Sequence, residues 1–422
     1  MLDVENRIDA KIPIYSYANK SSNSFYLALY LRAGSMYESE GESGITHFYE
    51  HVSIRNVNKI MGGKLYEILD ELGLEFNAST YNELVQFYIS GSPKHFAFAT
   101  DILLKLLMPL TLDREEVDAE RARIKAEIRE ADEKRTLLGF SLSKVFDGTP
   151  LSRSIAGTLG SVSKITAKKL EEFRKSNFIR ENLFIYATGN VTDNDLSMLK
   201  AAVDKCDIPE GVGRDNLAQA PVSFSKREGE VHIKNADFTK VRFTFDIDMK
   251  KFGVCELDLL YDILLSGYSS EFFIEMSEKR GLFYDVTGSL ERYKNIGIFA
   301  FSYEVNRKRL YEALEITVKI LHGMGCRALN EGRCMKAGYV DNAYMLLDEP
   351  RELNFTFAYD NHIMNLGYKD IEARRVAYEG VTPEDIRSAA EKLFTLNNLT
   401  LTFKGDKKRI DTAKVKEIIS NL

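Results

Sequence analysis

The segment GITHFYEHVSIRN, residues 44–56, sets His47, Glu50 and His51 in the order H-x-x-E-H. The residues that follow the turn-forming EGESG are compatible with a helix, and on a helix positions four apart share a face. Two imidazoles so placed can reach one ion. Glu50 lies beside that face, close enough to address a water on the ion without being an obvious ligand. A catalytic zinc site has this composition: nitrogen and carboxylate donors, one position left for water, and a nearby carboxylate to take the proton.

A third protein ligand must come from elsewhere in the chain. REEVDAERARIKAEIREADEK, residues 114–134, reads as one long helix in which Glu120 and Glu127 are seven apart and share a face. Glu116 and Glu130 on the same segment read as part of a solvated, salt-bridged surface. Helical spacing alone leaves the choice of ligand open. His95, His232, His322 and His362 stand singly and read as structural residues. Cys206, Cys255, Cys326 and Cys334 lack the paired spacing of a metal site and read as reduced thiols. SGSPKHF and the LHGMGC turn contain Gly but lack a phosphate-loop pattern.

The elements that position these residues repeat along the chain. SKITAKKLEEFRKSNFIRENLFIYATGNV from Ser163 aligns without a gap on EGVTPEDIRSAAEKLFTLNNLTLTFKGD from Glu379, at an offset of 216. Thr166 meets Thr382, Phe178 meets Phe394, Asn182 meets Asn398, and Gly189 meets Gly405. Each copy reads as a Thr-capped amphipathic helix, a polar turn and a short apolar strand closed by Gly. Earlier in each half, ELGLEFNAST with ELVQFYISG parallels KRGLFYDVTG with GIFAFSYEV, as strand, turn, strand and then helix. The polar, Gly- and Pro-containing stretch 208–224 separates the copies. The sequence therefore predicts an α+β protein of two homologous domains, 1–207 and 225–422, each a mixed, mostly antiparallel sheet covered by helices.

Composition narrows the class. The 422 residues are 44% hydrophobic and 28% charged, as in an ordinary globular protein, with a formal net charge of −6. That mild acidity speaks against nucleic acid as a partner. The N-terminal MLDVENRIDAKIPIY has no apolar core of a signal peptide, and ILLKLLMPLTL is too short to span a membrane, so neither export nor a membrane is expected. A cytoplasmic location follows as the default.

Taken together these residues resemble the pitrilysin/insulinase family of zinc metallopeptidases, the inverzincins, on a divergent branch that is similar to bacterial-type processing peptidases. In that family a glutamate 76 residues after the second histidine completes the site, and here that position is Glu127. The resemblance thus implies one Zn²⁺ per chain on His47, His51 and Glu127, with Glu50 as general base. A family glutamate seven residues earlier corresponds to Glu120 and implies a supporting contact to the ligands. The family's Asn-Ala strand corresponds to Asn77 and Ala78, which implies an edge that holds extended peptide by main-chain pairing. The resemblance covers essentially the whole chain and implies that it forms one half of a clam-shaped chamber.

Three positions depart from the family pattern. The second half carries Tyr284 where the family has a substrate-contacting Tyr, but its companion Arg is replaced by Ser277. The zinc helix continues as Val52-Ser53-Ile54-Arg55-Asn56 instead of an aromatic followed by Gly-Thr. SGYSSEFF stands in the second half where a zinc helix would begin, so that half is expected to be non-catalytic. The leading expectation is a zinc metalloendopeptidase acting on peptides or unfolded segments as a homodimer. The alternatives are the zinc-bearing subunit of a heterodimer with a homologous partner, suited to peptide maturation, and a non-enzymatic assembly subunit.

Overall fold

In the computed structural model, residues 4–134, 136–214, 222, 224–283, 286–326 and 336–422 are described. They form two compact units. Unit 1 comprises residues 1–133, 153–221 and 343–374, and unit 2 comprises 134–152, 222–342 and 375–422.

The sheet of unit 1 has six strands: β1 (Asn6–Ile8), β2 (Ile14–Ala18), β3 (Phe25–Leu31), β4 (Glu75–Thr80), β5 (Val85–Gly91) and β6 (Leu183–Gly189). Their order is β1-β2-β6-β3-β5-β4, antiparallel throughout except for β2 beside β6. Every residue of β3 is buried, which marks a strand covered on both faces. Its alternation sorts the two faces. Phe25, Leu27, Leu29 and Leu31 enter a core that includes residues of α1 (Ile45–Ile60), α3 (Phe96–Leu104), α4 (Arg114–Lys134), α7 (Ala167–Asn177) and α8 (Asp193–Lys205). The short helices α2 (Leu65–Leu72) and α6 (Leu159–Lys164) complete this series. Tyr26, Ala28 and Tyr30 face the other way, toward α11 (Pro350–His362) and Ile371 at the start of α12 (Ile371–Gly380). Asn354 pins α11 to that face: it accepts from the Tyr30 hydroxyl at 2.8 Å and donates to the Tyr186 carbonyl at 3.0 Å.

Unit 2 repeats this plan. Its strands are β7 (Glu230–Asn235), β8 (Lys240–Asp248), β9 (Val286–Arg292), β10 (Ile296–Glu304) and β11 (Leu399–Gly405), ordered β7-β11-β8-β10-β9 with only β7 and β11 parallel. One face packs on α9 (Val254–Leu265), α10 (Leu310–Cys326), α13 (Pro383–Leu393) and α14 (Thr412–Ile419). The other meets α5 (Thr136–Val145), where the Ser141 and Thr244 hydroxyls are 3.3 Å apart.

The internal repeat is thus a repeat of structure, down to single hydrogen bonds. Thr166 and Thr382 cap α7 and α13 through the backbone N–H three residues on. Asn182 donates to the Asn177 carbonyl at 3.1 Å, and Asn398 donates to the Leu393 carbonyl at 2.8 Å, both pairs being related by the offset of 216. The Asn of each repeat closes the turn between helix and strand, satisfying a carbonyl left open at the helix end. The same offset carries α5 onto α11, yet α5 belongs to unit 2 and α11 to unit 1. Each unit therefore takes the helix on the second face of its sheet from the other half of the chain.

No described helix is long and apolar enough to cross a membrane. The described part of stretch 208–224 is irregular apart from Arg214, and residues 215–221 and 223 lie outside the description.

Candidate metal centre

The site is built on α1 and α4, which meet in unit 1. The start of α1 is fixed by Gly44, whose φ of 89° is left-handed and whose Cβ, were there one, would sit 2.7 Å from the Ala156 carbonyl oxygen. Glu38 accepts from the N–H groups of Gly44 at 2.8 Å and Thr46 at 2.9 Å, satisfying donors that a helix start leaves open. Burial nonetheless pushes the Glu38 carboxyl up to about 7 against those two bonds. Nothing in the sequence reading singled out Glu38, because an acid six residues before a glycine carries no pattern of its own.

The H-x-x-E-H segment lies in the first half of α1, and its side chains are drawn together as the spacing requires. The imidazole rings of His47 and His51 lie 4.7 Å apart, centroid to centroid. Each presents Nε2 to the same Oε2 atom of Glu127, at 3.7 Å in both cases. Among the described residues, His47, His51 and Glu127 are the group of three or more that could hold a metal ion, with ligand atoms all within 4.8 Å of one another. Four ligands at about 2.0–2.1 Å around a tetrahedral ion stand about 3.3 Å from each other, so the donors need close only slightly. Their types, two imidazoles and one carboxylate, suit zinc. Glu120 is brought to the same place: its Oε2 is 3.3 Å from His51 Nδ1, where a metal-binding histidine commonly has an acceptor. Its side chain is 3% exposed, while that of Glu127 is half exposed.

The electrostatics of the two histidines differ. Burial, with the neighbouring charge of His51, pulls His47 down to about 4. Burial also acts to lower His51, but its bonds to Glu120 and Glu127 and the charge of Glu50 outweigh it and push the ring up to about 9. Nδ1 of His47 is buried with no hydrogen-bond partner among the described residues, so within them the two rings are unequally supported. Burial lowers the acidity of Glu50, with Glu127 adding to the effect while Thr80 and His51 oppose it. The Thr80 hydroxyl donates to Glu50 Oε2. Thr80 closes the NAST segment, and its role was missed because a Thr at the end of a strand has many uses.

Asn77 and Ala78 lie on β4, the outermost strand of the unit 1 sheet, paired on one side with Tyr88 and Phe87. Tyr284 lies outside the described residues. Ser277 occupies a π-helical turn, Phe273–Glu278, in unit 2. The remaining histidines lie elsewhere: His232 is 3.1 Å from Glu230, His362 stacks on Tyr15 and lies 3.0 Å from Glu5, His95 ends the 3-10 turn Pro93–His95, and His322 lies on α10. Among the described residues Cys206 and Cys255 form no disulfide, and Cys334 lies outside them.

Comparisons with known proteins identify the family. Residues 14–159 match Insulinase (Peptidase family M16), and residues 164–325 match the Peptidase M16 inactive domain. The chain belongs to the insulinase family, peptidase family M16. An uncharacterized zinc protease of Streptomyces coelicolor is 25% identical over 394 residues, spanning 88% of this chain and 82% of that protein. A probable mitochondrial-processing peptidase subunit beta of Arabidopsis thaliana is 25% identical over 214 residues, 50% of this chain and 40% of that one. The crystal structure of a protease from Helicobacter pylori superposes with a TM-score of 0.83 at 17% identity, covering 96% of this chain and all of the other, which establishes the shared fold. The expected α+β architecture is thereby met, and the second half corresponds to a domain described as inactive, in keeping with its lack of an H-x-x-E-H helix.

Proposed function

We propose that this protein is a zinc-dependent endopeptidase that hydrolyses peptides or unfolded segments. The observation that carries the reading is the convergence of His47 Nε2, His51 Nε2 and Glu127 Oε2 beside the buried carboxylate of Glu50. His47, His51 and Glu127 hold one Zn²⁺, and Glu120 orients His51. When bound, zinc supplies Lewis acidity, polarising the scissile carbonyl and acidifying the attacking water. Glu50 takes the proton of that water and returns it to the leaving amine. Its burial favours this cycle by keeping the carboxyl's proton affinity above that of a solvated glutamate. Thr80 holds one oxygen of that carboxylate and leaves the other for the proton. Asn77 and Ala78 align the substrate as an added strand along β4, the outermost strand of its sheet.

The test is mass-spectrometric cleavage of a mixed peptide pool by the purified chain, with Glu50→Gln as control. Cleavage by the wild type alone is the expected result. Equal cleavage by the variant overturns the assignment of Glu50.

Ser277 favours a second reading. With Ser in place of the family's substrate-contacting Arg, this chain is the zinc-bearing subunit of a heterodimer whose homologous partner supplies that contact. The similarity to a protein named as a processing-peptidase beta subunit supports it. A purified chain that binds zinc but cleaves only after a homologue lacking H-x-x-E-H is added would establish this reading. Full activity of the purified chain alone would sink it, in favour of a homodimer.

A further inference from the structure

The face of α1 that carries His47 and His51 does not end at the histidines. Arg55 and Lys59 continue it at the same four-residue spacing, and α4 answers with Glu127, Glu120 and Glu116. Arg55 Nη1 donates to Glu120 Oε1 at 2.7 Å, which leaves Glu120 Oε2 to face His51 Nδ1. Lys59 meets Glu116 one turn further on. A carboxylate as enclosed as that of Glu120 needs a cation or several donors to remain in place. Arg123 is also near, at 3.5 Å, but its side chain is 67% exposed and solvated. Arg55 is therefore the principal anchor of Glu120, and it stands in the stretch where the helix departs from the family pattern.

We propose that Arg55 is a positioning residue of the metal site, fixing Glu120 so that the His51 imidazole is held with Nε2 turned toward Glu127. This rests on the metal-site reading given above. A planar guanidinium suits the task because it directs its N–H bonds along fixed lines, whereas an ammonium is a mobile point charge. Lys59 supplies an internal control: it ties the same two helices together without touching Glu120. If Arg55 were only a tie between helices, losing either residue would have the same consequence for the site.

The experiment is zinc affinity of the full chain at one fixed pH, read by competition with a chromophoric chelator. Wild type, Arg55→Gln, Arg55→Lys, Glu120→Gln and Lys59→Gln are compared. Arg55→Gln is expected to loosen zinc by about tenfold or more, the range seen for outer partners of metal ligands, and Lys59→Gln by less than about twofold. Glu120→Gln is expected to match or exceed Arg55→Gln, and Arg55→Lys to fall between wild type and Arg55→Gln. Wild-type affinity in Arg55→Gln, or an equal loss in Lys59→Gln, overturns the proposal. Should Arg55→Gln fail to fold, Arg55→Lys decides, and wild-type affinity in that variant overturns it. If wild type itself takes up no zinc, the metal-site reading falls and this inference with it. If wild type binds and Arg55→Gln binds equally well, only this inference falls.

Discussion

Thr80, the last residue of strand β4, donates its hydroxyl to Oε2 of Glu50 on helix α1. The bond joins the proposed proton carrier to the strand proposed to hold substrate, so strand and carboxylate keep a fixed relation. It also opposes burial, which raises the proton affinity of Glu50. Thr80→Val keeps the shape and removes the donor. A hydrogen bond to a charged group contributes about 1.5–3 kcal/mol. Peptide cleavage by Thr80→Val is therefore expected to fall by about tenfold or more. The acid limb of its pH profile should move to higher pH, because Glu50 without that donor takes up a proton more readily. A profile that falls in height with an unmoved limb would mean that Thr80 serves the strand alone.

Binding of metal should release a proton, and the two histidines contribute unequally. His47, pulled down to about 4, is neutral at pH 7 and already offers a lone pair. His51, pushed up to about 9, carries a proton that must leave before Nε2 can ligate. About one proton should therefore appear per zinc at pH 7, measurable as the buffer dependence of the binding enthalpy. Apparent affinity should rise by about tenfold per pH unit between roughly pH 6 and 9 and level off above that. Zinc uptake without proton release would show that His51 is neutral in the metal-free protein.

Glu50 and Glu127 are assigned different duties, and two glutamine substitutions separate them. Glu50→Gln should retain zinc, since its carboxylate is not among the three convergent donors, while cleavage falls by about a hundredfold or more. Glu127→Gln removes the only carboxylate of that group and should lose both zinc and activity. Metal content by elemental analysis, set beside cleavage rate, distinguishes the two. Loss of zinc from Glu50→Gln would place that residue among the ligands.

Much of this arrangement was legible in the sequence because its signals are local and periodic. The H-x-x-E-H spacing needs only one helix to bring two rings together, and α1 supplies it. The repeat at an offset of 216 foretold two like sheets because strand order follows from copying a whole unit, and β6 and β11 occupy equivalent places. Helical spacing put Glu120 and Glu127 on one face but did not choose between them. Contacts between elements were silent. Neither the bond from Thr80 to Glu50 nor that from Glu38 to the start of α1 follows any sequence period. The exchange of α5 and α11 was hidden for another reason: both helices fit the repeat wherever they pack. Asn56 belongs with these. It donates to the Pro109 carbonyl and accepts from Thr111, setting the approach to α4 across more than fifty residues.

Glu38 yields a prediction for stability in which two effects have opposite signs. Its carboxyl is buried and pushed up to about 7, against an ordinary value of 4.5. A carboxyl with a raised value binds its proton more tightly when folded. Its stabilising contribution is thus complete below about pH 4.5 and is lost as pH rises through 7. The two N–H groups of Gly44 and Thr46 pull the other way, since they favour the ionised form at the positive end of α1. With burial dominant, the difference in unfolding free energy between metal-free wild type and Glu38→Gln should decline between pH 5 and 8. The scale is on the order of 3 kcal/mol as an upper bound. Denaturant titrations of both proteins at the two pH values measure it. A difference that grows with pH would mean that the helix terminus overcomes burial and that Glu38 is an anionic cap of the metal-binding helix.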